Sequence, residues 1–138
     1  MIEKGYLLDT NVVSEARRPR PDPRVNAFLV HAAKADAYLS VLTLGELRKG
    51  AEAKRRADPA SAESIDAWIG RLEIQYADQT LPVDKPVADL WGRLMADRPR
   101  PIVDTLIAAT AIVHGLTLVT RNSRDVADTG VNAINPWL

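Results

Sequence analysis

The sequence predicts an α/β fold of three layers, a mostly parallel central sheet flanked by helices, and three observations carry that expectation. Short apolar runs closed by turn-prone polar residues alternate with longer segments whose apolar positions recur at helical spacing, the pattern of a parallel sheet covered on both faces. The 138 residues, 46% of them hydrophobic, match one ordinary domain, residues 1–138, with enough apolar side chains for a continuous core. Neither an internal repeat nor a low-complexity tract interrupts the chain.

The first strand is Tyr6-Leu7-Leu8, stopped by Asp9-Thr10-Asn11, a turn that feeds a helix beginning near Val12. Arg17-Arg18-Pro19-Arg20-Pro21 breaks that helix. Asp22-Pro23, an N-cap followed by a first-turn proline, then starts a second helix with Val25, Phe28, Leu29 and Ala32 on one face. Residues 37–42 read as the second strand, and a helix follows over 43–54, with Thr43 and Glu46 at capping-box spacing. A turn is expected at Asp58-Pro59. From Ser61 onward Ile65, Trp68, Ile69, Leu72 and Tyr76 mark another helix, and residues 80–83 form a short strand that Pro82 assigns to an edge or strand end. Val87, Leu90, Trp91, Leu94 and Met95 outline the next amphipathic helix. After Arg98-Pro99-Arg100-Pro101, Asp104 opens a small-residue helix that ends at Gly115, and strands over 116–120 and 131–134 complete the chain.

Eighteen basic residues balance eighteen acidic ones, so a whole-surface attraction for nucleic acid is not indicated, although clustered charge allows a local basic face. There is no cysteine, which excludes a disulfide scaffold and thiol chemistry and agrees with a cytoplasmic location. A metal would be held by oxygen or nitrogen. Met1-Ile2-Glu3-Lys4-Gly5 lacks the features of a signal peptide, and no apolar run approaches the roughly 20 residues that span a bilayer, so no membrane partner is expected.

The informative residues are three acids in apolar or small-residue company: Asp9 after the first strand, Glu46 within a turn or so of the second, and Asp104 at the start of a helix. In an open parallel sheet, ligands collect beyond the carboxyl ends of the strands. Arg121, Asn122 and Asp125 lie just past the strand that ends at Thr120, so four segments deliver polar groups to one end of the sheet. Each acid also has an ordinary role available: Asp9 as a turn residue, Glu46 in a capping box, and Asp104 as an N-cap or a first-turn acid favoured by the helix dipole. Two carboxylates about 5 Å apart at an effective dielectric near 20 repel by about 3 kcal/mol, so a true cluster needs a cation or a bound proton. Mg²⁺ or Mn²⁺ suits oxygen ligands of this kind, and the chemistry indicated is hydrolysis of phosphate esters.

Four motifs, Leu7-Leu8-Asp9-Thr10-Asn11-Val12-Val13-Ser14-Glu15, Ser40-Val41-Leu42-Thr43-Leu44-Gly45-Glu46-Leu47-Arg48-Lys49-Gly50, Asp104-Thr105-Leu106-Ile107-Ala108-Ala109-Thr110-Ala111 and Leu118-Val119-Thr120-Arg121-Asn122 with the closing Asn135-Pro136-Trp137, run in one order along the chain. In them the sequence resembles the PIN-domain ribonucleases, and among these the VapC toxins of type II toxin–antitoxin systems, in the FitB-like branch. The resemblance covers the chain from end to end. It implies a PIN-like fold and a Mg²⁺- or Mn²⁺-dependent endoribonuclease in which Asp9, Glu46 and Asp104 are the catalytic, metal-binding acids, and in-line attack by an activated water leaves a 5′ phosphate and a 3′ hydroxyl. Asn11 and Thr120 would orient carboxylates or water, or serve as plain turn and strand-end residues. Relatives often carry a fourth acid where this chain has Asn122, with Asp125 three residues later; either Asp125 reaches the site through water or a second metal is weakly held.

The implied partners are RNA, a VapB-like antitoxin protein whose C-terminal segment covers the acidic groove, and a second copy of the chain in a homodimer or a larger toxin–antitoxin assembly. The runs Arg17-Arg18-Pro19-Arg20 and Arg98-Pro99-Arg100 flank the acids and read either as RNA phosphate contacts or as solvated loops. Arg48, Lys49, Lys54, Arg55 and Arg56 read more as a solvated helical face than as a binding stripe, and Trp68 and Trp91 as packing residues. Neither His31 nor His114 has metal-ligand spacing. Two other readings compete. A catalytically idle PIN fold would bind RNA or protein without cutting. A phosphoacceptor signalling domain would want adjacent acids after the first strand, where Asp9-Thr10-Asn11 stands, and a lysine after a late one, where Asn135-Pro136 stands.

Overall fold

In the computed structural model, which describes residues 5–138, Tyr6–Leu8 forms the central strand β1 of a five-stranded sheet. The expectation for residues 1–4 lies outside the described residues. Along the chain there follow α1 (Thr10–Arg17), α2 (Pro23–Ala33), β2 (Ala37–Ser40), α3 (Val41–Arg55), α4 (Pro59–Gln75), β3 (Thr80–Leu81), α5 (Lys85–Asp97), α6 (Ile102–His114), β4 (Thr117–Val119) and β5 (Ala133–Ile134), with 3₁₀ turns at Ala77–Gln79 and Ser123–Thr129. Every strand pair is parallel and the order is β3-β2-β1-β4-β5, so the predicted α/β class and parallel sheet hold.

Both faces of the sheet are covered, and the two-residue alternation of strand side chains sorts the core. Tyr6, Leu8, Leu39 and Val119 face one layer with Val12, Val13, Val25, Leu47, Ile69 and Leu72 from α1 to α4. Leu7 and Leu118 face the other, with Ile107, Ala108 and Ala111 of α6. The run of alanines in α6 lets that helix lie close against the strands, and α5 packs on its outer side. Entry to β1 requires glycine: Gly5 has φ of 130°, and a Cβ there would stand 2.2 Å from the Asp36 carbonyl oxygen, which accepts the Tyr6 N–H. Among the described residues no helix is long and apolar enough to cross a membrane.

Several boundaries differ from expectation for local reasons. Thr10, not Val12, begins α1, because the Asp9 side chain caps it. Ser40 is the N-cap of α3 and its hydroxyl accepts from the Leu42 N–H, so β2 stops there and the capping box assigned to Thr43 and Glu46 does not exist; both lie inside the helix. Asp58-Pro59 is a helix start of the same kind as Asp22-Pro23, with Asp58 accepting from Ser61. Pro101 precedes the first residue of α6, which makes Asp104 a first-turn acid and not its N-cap. Gly115 ends α6 with φ of 66°, as expected of a left-handed cap. The strand with Pro82 behind it is an edge, as predicted, and β5 is the other edge.

Candidate active site

The sheet order reverses direction beside β1, and in parallel α/β folds the crevice at that reversal is where ligands bind. Asp9 leaves the end of β1 and Thr120 the end of the neighbouring β4. The Thr120 hydroxyl donates to Asp9 Oδ2 at 2.6 Å, within a buried pair. The same carboxylate accepts from the Thr10 backbone N–H at 2.8 Å and from Asn11 Nδ2 at 3.4 Å. Thr120 Oγ1 accepts in turn from the Asn122 N–H at 3.0 Å, and Asn11 Oδ1 accepts from the Arg121 N–H at 3.2 Å. The turns after β1 and β4 are thus laced together around one carboxylate.

Glu46 arrives from α3. Its Oε1 accepts from the Thr10 hydroxyl at 2.6 Å, and Thr43 Oγ1, fully buried, lies 3.2 Å from the same hydroxyl. Thr10 therefore ties the start of α1 to the inner face of α3. Sequence reasoning passed over this residue: it follows Asp9 in the chain, but its partners lie 33 and 36 residues away. Asp104, half-buried at the N-terminal end of α6, faces the same region.

Burial pushes the Asp9 carboxyl above its ordinary range, against the pull of its Thr120, Thr10 and Asn11 hydrogen bonds, and Glu46 repels it further. Asp104 is also raised, first by burial and then by repulsion from Asp9, Glu46 and Asp125. Among the described residues no lysine or arginine pairs with any of these four acids, although Glu15, Asp22, Glu52, Asp66, Glu73, Asp89, Asp97 and Asp128 all have basic partners. Glu15, the other buried acid of the first motif, is used structurally: it accepts from the Asp22 N–H and pairs with Arg18.

The donor set fits a hard divalent cation of modest demands. Among the described residues no group of three or more acids or histidines stands close enough to hold a metal ion by itself. Mg²⁺ does not need one, since it commonly takes one or two carboxylates and fills its remaining positions with water and substrate phosphate. Of the two candidates for the fourth acid position, Asp125 is the one whose charge reaches Asp104; Asn122 contributes its backbone N–H to Thr120.

The basic residues sort differently from the sequence reading. Arg100 is not free for phosphate: its side chain is 3% exposed, with Nε donating to the Leu94 carbonyl and the two terminal nitrogens to Asp128 at 2.6 Å and Asp97 at 2.9 Å, and Arg98 pairs with Asp128 as well. This clamp fixes the approach to α6 against the 3₁₀ turn that carries Asp125. Arg100→Gln is expected to lower the melting temperature by about 5–10 °C, read by circular dichroism, because it unpairs two carboxylates and a carbonyl at once. Arg48 and Arg55 form an ion-pair network with Glu52, Asp66 and Glu73 across α3 and α4, the solvated face expected of them. The Arg17 guanidinium lies 5.7 Å from the Trp68 ring centre, over a cleft of about 310 Å³ that runs up to Thr10 and Glu46. His31 packs against Tyr6 and Phe28, and His114 Nε2 and the Trp91 indole N–H are buried without partners among the described residues.

Comparison with known proteins adds a family. The PIN domain model matches residues 6–131. Toxin FitB of Neisseria gonorrhoeae is 36% identical over 138 residues, covering 95% of this chain and 97% of the relative, and VapC ribonuclease Y4jK of Sinorhizobium fredii is 34% identical, covering 95% and 96%. Among solved structures, the crystal structure of FitAcB from Neisseria gonorrhoeae matches with a TM-score of 0.81 at 35% identity over 96% of this chain and 98% of that one. The structure of FitAB bound to an IR36 DNA fragment matches with a TM-score of 0.82 at 32% identity, over 96% of each.

Proposed function

The chain belongs to the PIN-domain family, in its branch of VapC and FitB toxins, and from that premise we propose that it is a divalent-metal-dependent endoribonuclease acting as the toxin of a toxin–antitoxin pair. The family is one of ribonucleases at the level of its named relatives. One observation carries the finer reading: Asp9, Glu46, Asp104 and Asp125 lie within electrostatic reach at one end of the sheet, and among the described residues no basic side chain pairs with them. Carboxylates kept in mutual repulsion are arranged for a ligand of opposite charge.

In this reading Asp9 and Asp104 hold Mg²⁺ or Mn²⁺ directly, Glu46 completes the site, and Asp125 acts at its margin. The bound cation supplies Lewis acidity, which offsets charge growing on the phosphoryl oxygens and activates water. The protein's own work is orientation. Thr120 and the Thr10 N–H fix the Asp9 carboxylate from two sides, so its rotamer does not change when the substrate arrives. Thr10 holds Glu46 at the rim, where the exposed carboxylate is placed to accept a proton from water. Asn11 joins the two turns, accepting from the Arg121 backbone N–H. The FitAB complexes support a protein antitoxin as partner; that its C-terminal segment covers the groove over these acids, and that the chain pairs as a homodimer, we extend from the family resemblance.

Incubation of the antitoxin-free protein with a mixed cellular RNA pool tests the reading. Cleavage is expected with Mg²⁺ or Mn²⁺ and none with EDTA. A folded protein that cuts no RNA with either metal would replace the nuclease by an idle binding module of the same fold.

A further inference from the structure

The closing motif Asn135-Pro136-Trp137 lies outside the acid cluster and takes no part in the chemistry above, yet it is tightly built. Trp137 is 8% exposed, its N–H donates to Asn135 Oδ1 at 3.0 Å, and Asn135 Nδ2 donates to the Arg121 carbonyl at 3.3 Å. The Arg121 guanidinium lies over the Trp137 ring, 4.7 Å from its centre. Arg121 is therefore restrained at three points, by Asn11 at its N–H, by Asn135 at its carbonyl and by Trp137 under its side chain.

Its charge is nonetheless unspent. Arg17, Arg48, Arg55, Arg98 and Arg100 all have hydrogen-bonding or ionic partners, whereas the Arg121 guanidinium pairs with no carboxylate among the described residues, although it follows Thr120 directly and shares a cleft with Asp125. Arg124, three residues on, is also exposed and unpaired among them. The two line a polar cleft of about 420 Å³ with Asn122, Ser123, Asp125 and Asn135. Asp125 borders this cleft, and Arg121, which lines it, follows Thr120, whose hydroxyl holds Asp9, so the cleft begins one residue from the acid site.

We propose that Arg121, with Arg124 beside it, forms a phosphate subsite that holds the RNA strand next to the bond being cut; this rests on the ribonuclease reading above. A guanidinium held over an indole face makes no hydrogen bond to it, so its donors stay free for a phosphate, and fixing it beforehand removes part of the entropy cost of gripping a flexible strand. The neighbouring hydroxyl and amide groups supply further donors to a phosphate or a ribose. The acids recruit the cation, and the arginines recruit the polyanion from the side.

The test separates binding from cutting. An end-labelled, mixed-sequence single-stranded RNA is titrated with the Asp104→Asn protein in EDTA, where no cleavage competes. Adding Arg121→Ala is expected to weaken binding about tenfold, to make the log-log salt dependence shallower by about 0.7, and to lower the melting temperature by no more than about 5 °C, the loss of one cation–π contact. Arg121→Lys should keep the salt slope and lose part of the affinity, and Arg71→Ala on α4 should change neither. In the otherwise native protein Arg121→Ala should raise KM and hold kcat within about threefold. Unchanged affinity and salt slope in Arg121→Ala, or an equal loss in Arg71→Ala, would overturn the subsite while cleavage by the unaltered protein keeps the nuclease. If the unaltered protein cuts no RNA but binding still depends on Arg121, the nuclease reading fails and the subsite stands.

Discussion

Asp104→Asn is expected to cut RNA cleavage by about a thousandfold, a loss of about 4 kcal/mol of transition-state stabilisation, while the metal-free protein melts at the same temperature or higher. The two halves of this result belong together. Asp104 has no hydrogen-bond partner among the described residues, and Pro101 occupies the N-cap, so asparagine removes repulsion from Asp9, Glu46 and Asp125 without removing a structural bond. If Asp104 served only the α6 dipole, its replacement would instead cost about 0.3–1 kcal/mol and leave cleavage intact. The pH dependence gives a second signature. A carboxyl whose folded-state pKa lies above its unfolded value binds its proton more tightly when folded, so stability is full below the unfolded value near 3.8, declines as pH rises toward the raised folded value, and levels off above it. Asp22, Glu52, Asp58, Asp66, Asp89 and Asp128 are lowered and contribute the opposite slope, so the signature is a difference. Metal-free Asp104→Asn should gain stability relative to the unaltered protein as pH rises from acid to neutral, and added Mg²⁺ should restore stability at neutral pH in the unaltered protein.

Thr120→Val has the second-largest expected effect. Valine keeps the shape of the side chain and deletes the hydroxyl that donates to Asp9 Oδ2 in a buried pair, so the carboxylate loses its strongest restraint and the Asn122 N–H loses its acceptor. A loss of about 1.5–3 kcal/mol in urea unfolding is expected, the range of hydrogen bonds to charged groups. Cleavage should fall about 10–100-fold because the ligand carboxylate is then free to turn. Thr120→Ser should recover most of both. A variant as active as the parent would reduce Thr120 to an ordinary strand-end residue.

How much of this was legible in the sequence follows from the range of the forces involved. The strand order's consequence, acids gathered at one end, could be read because strand, turn and helix signals are local and Asp9 and Asp104 sit at recognisable element ends. Glu46 was singled out for its place after the second strand, but the capping box read there does not form, since Ser40 takes the cap from outside the apparent pattern. The roles of Thr10 and Arg100 were not legible. Thr10 acts through partners on another helix, and Arg100 belonged to a run that read as a phosphate contact or a solvated loop until Asp97 and Asp128 closed around it. The Arg121 and Trp137 pairing joins a strand end to the last turn of the chain, and no spacing rule connects them.

Both outer strands of the sheet, β3 and β5, are only two residues long, and each is soon followed by proline, Pro82 in one case and Pro136 in the other. A proline offers no N–H, and so short a ladder offers a visiting strand almost nothing to pair with. The molecule is thereby guarded against growing by strand addition, the common route from a stable monomer to an aggregate. Self-association would then rest on side chains of the outer helices and loops, where single substitutions can tune it without disturbing the sheet that carries the acids.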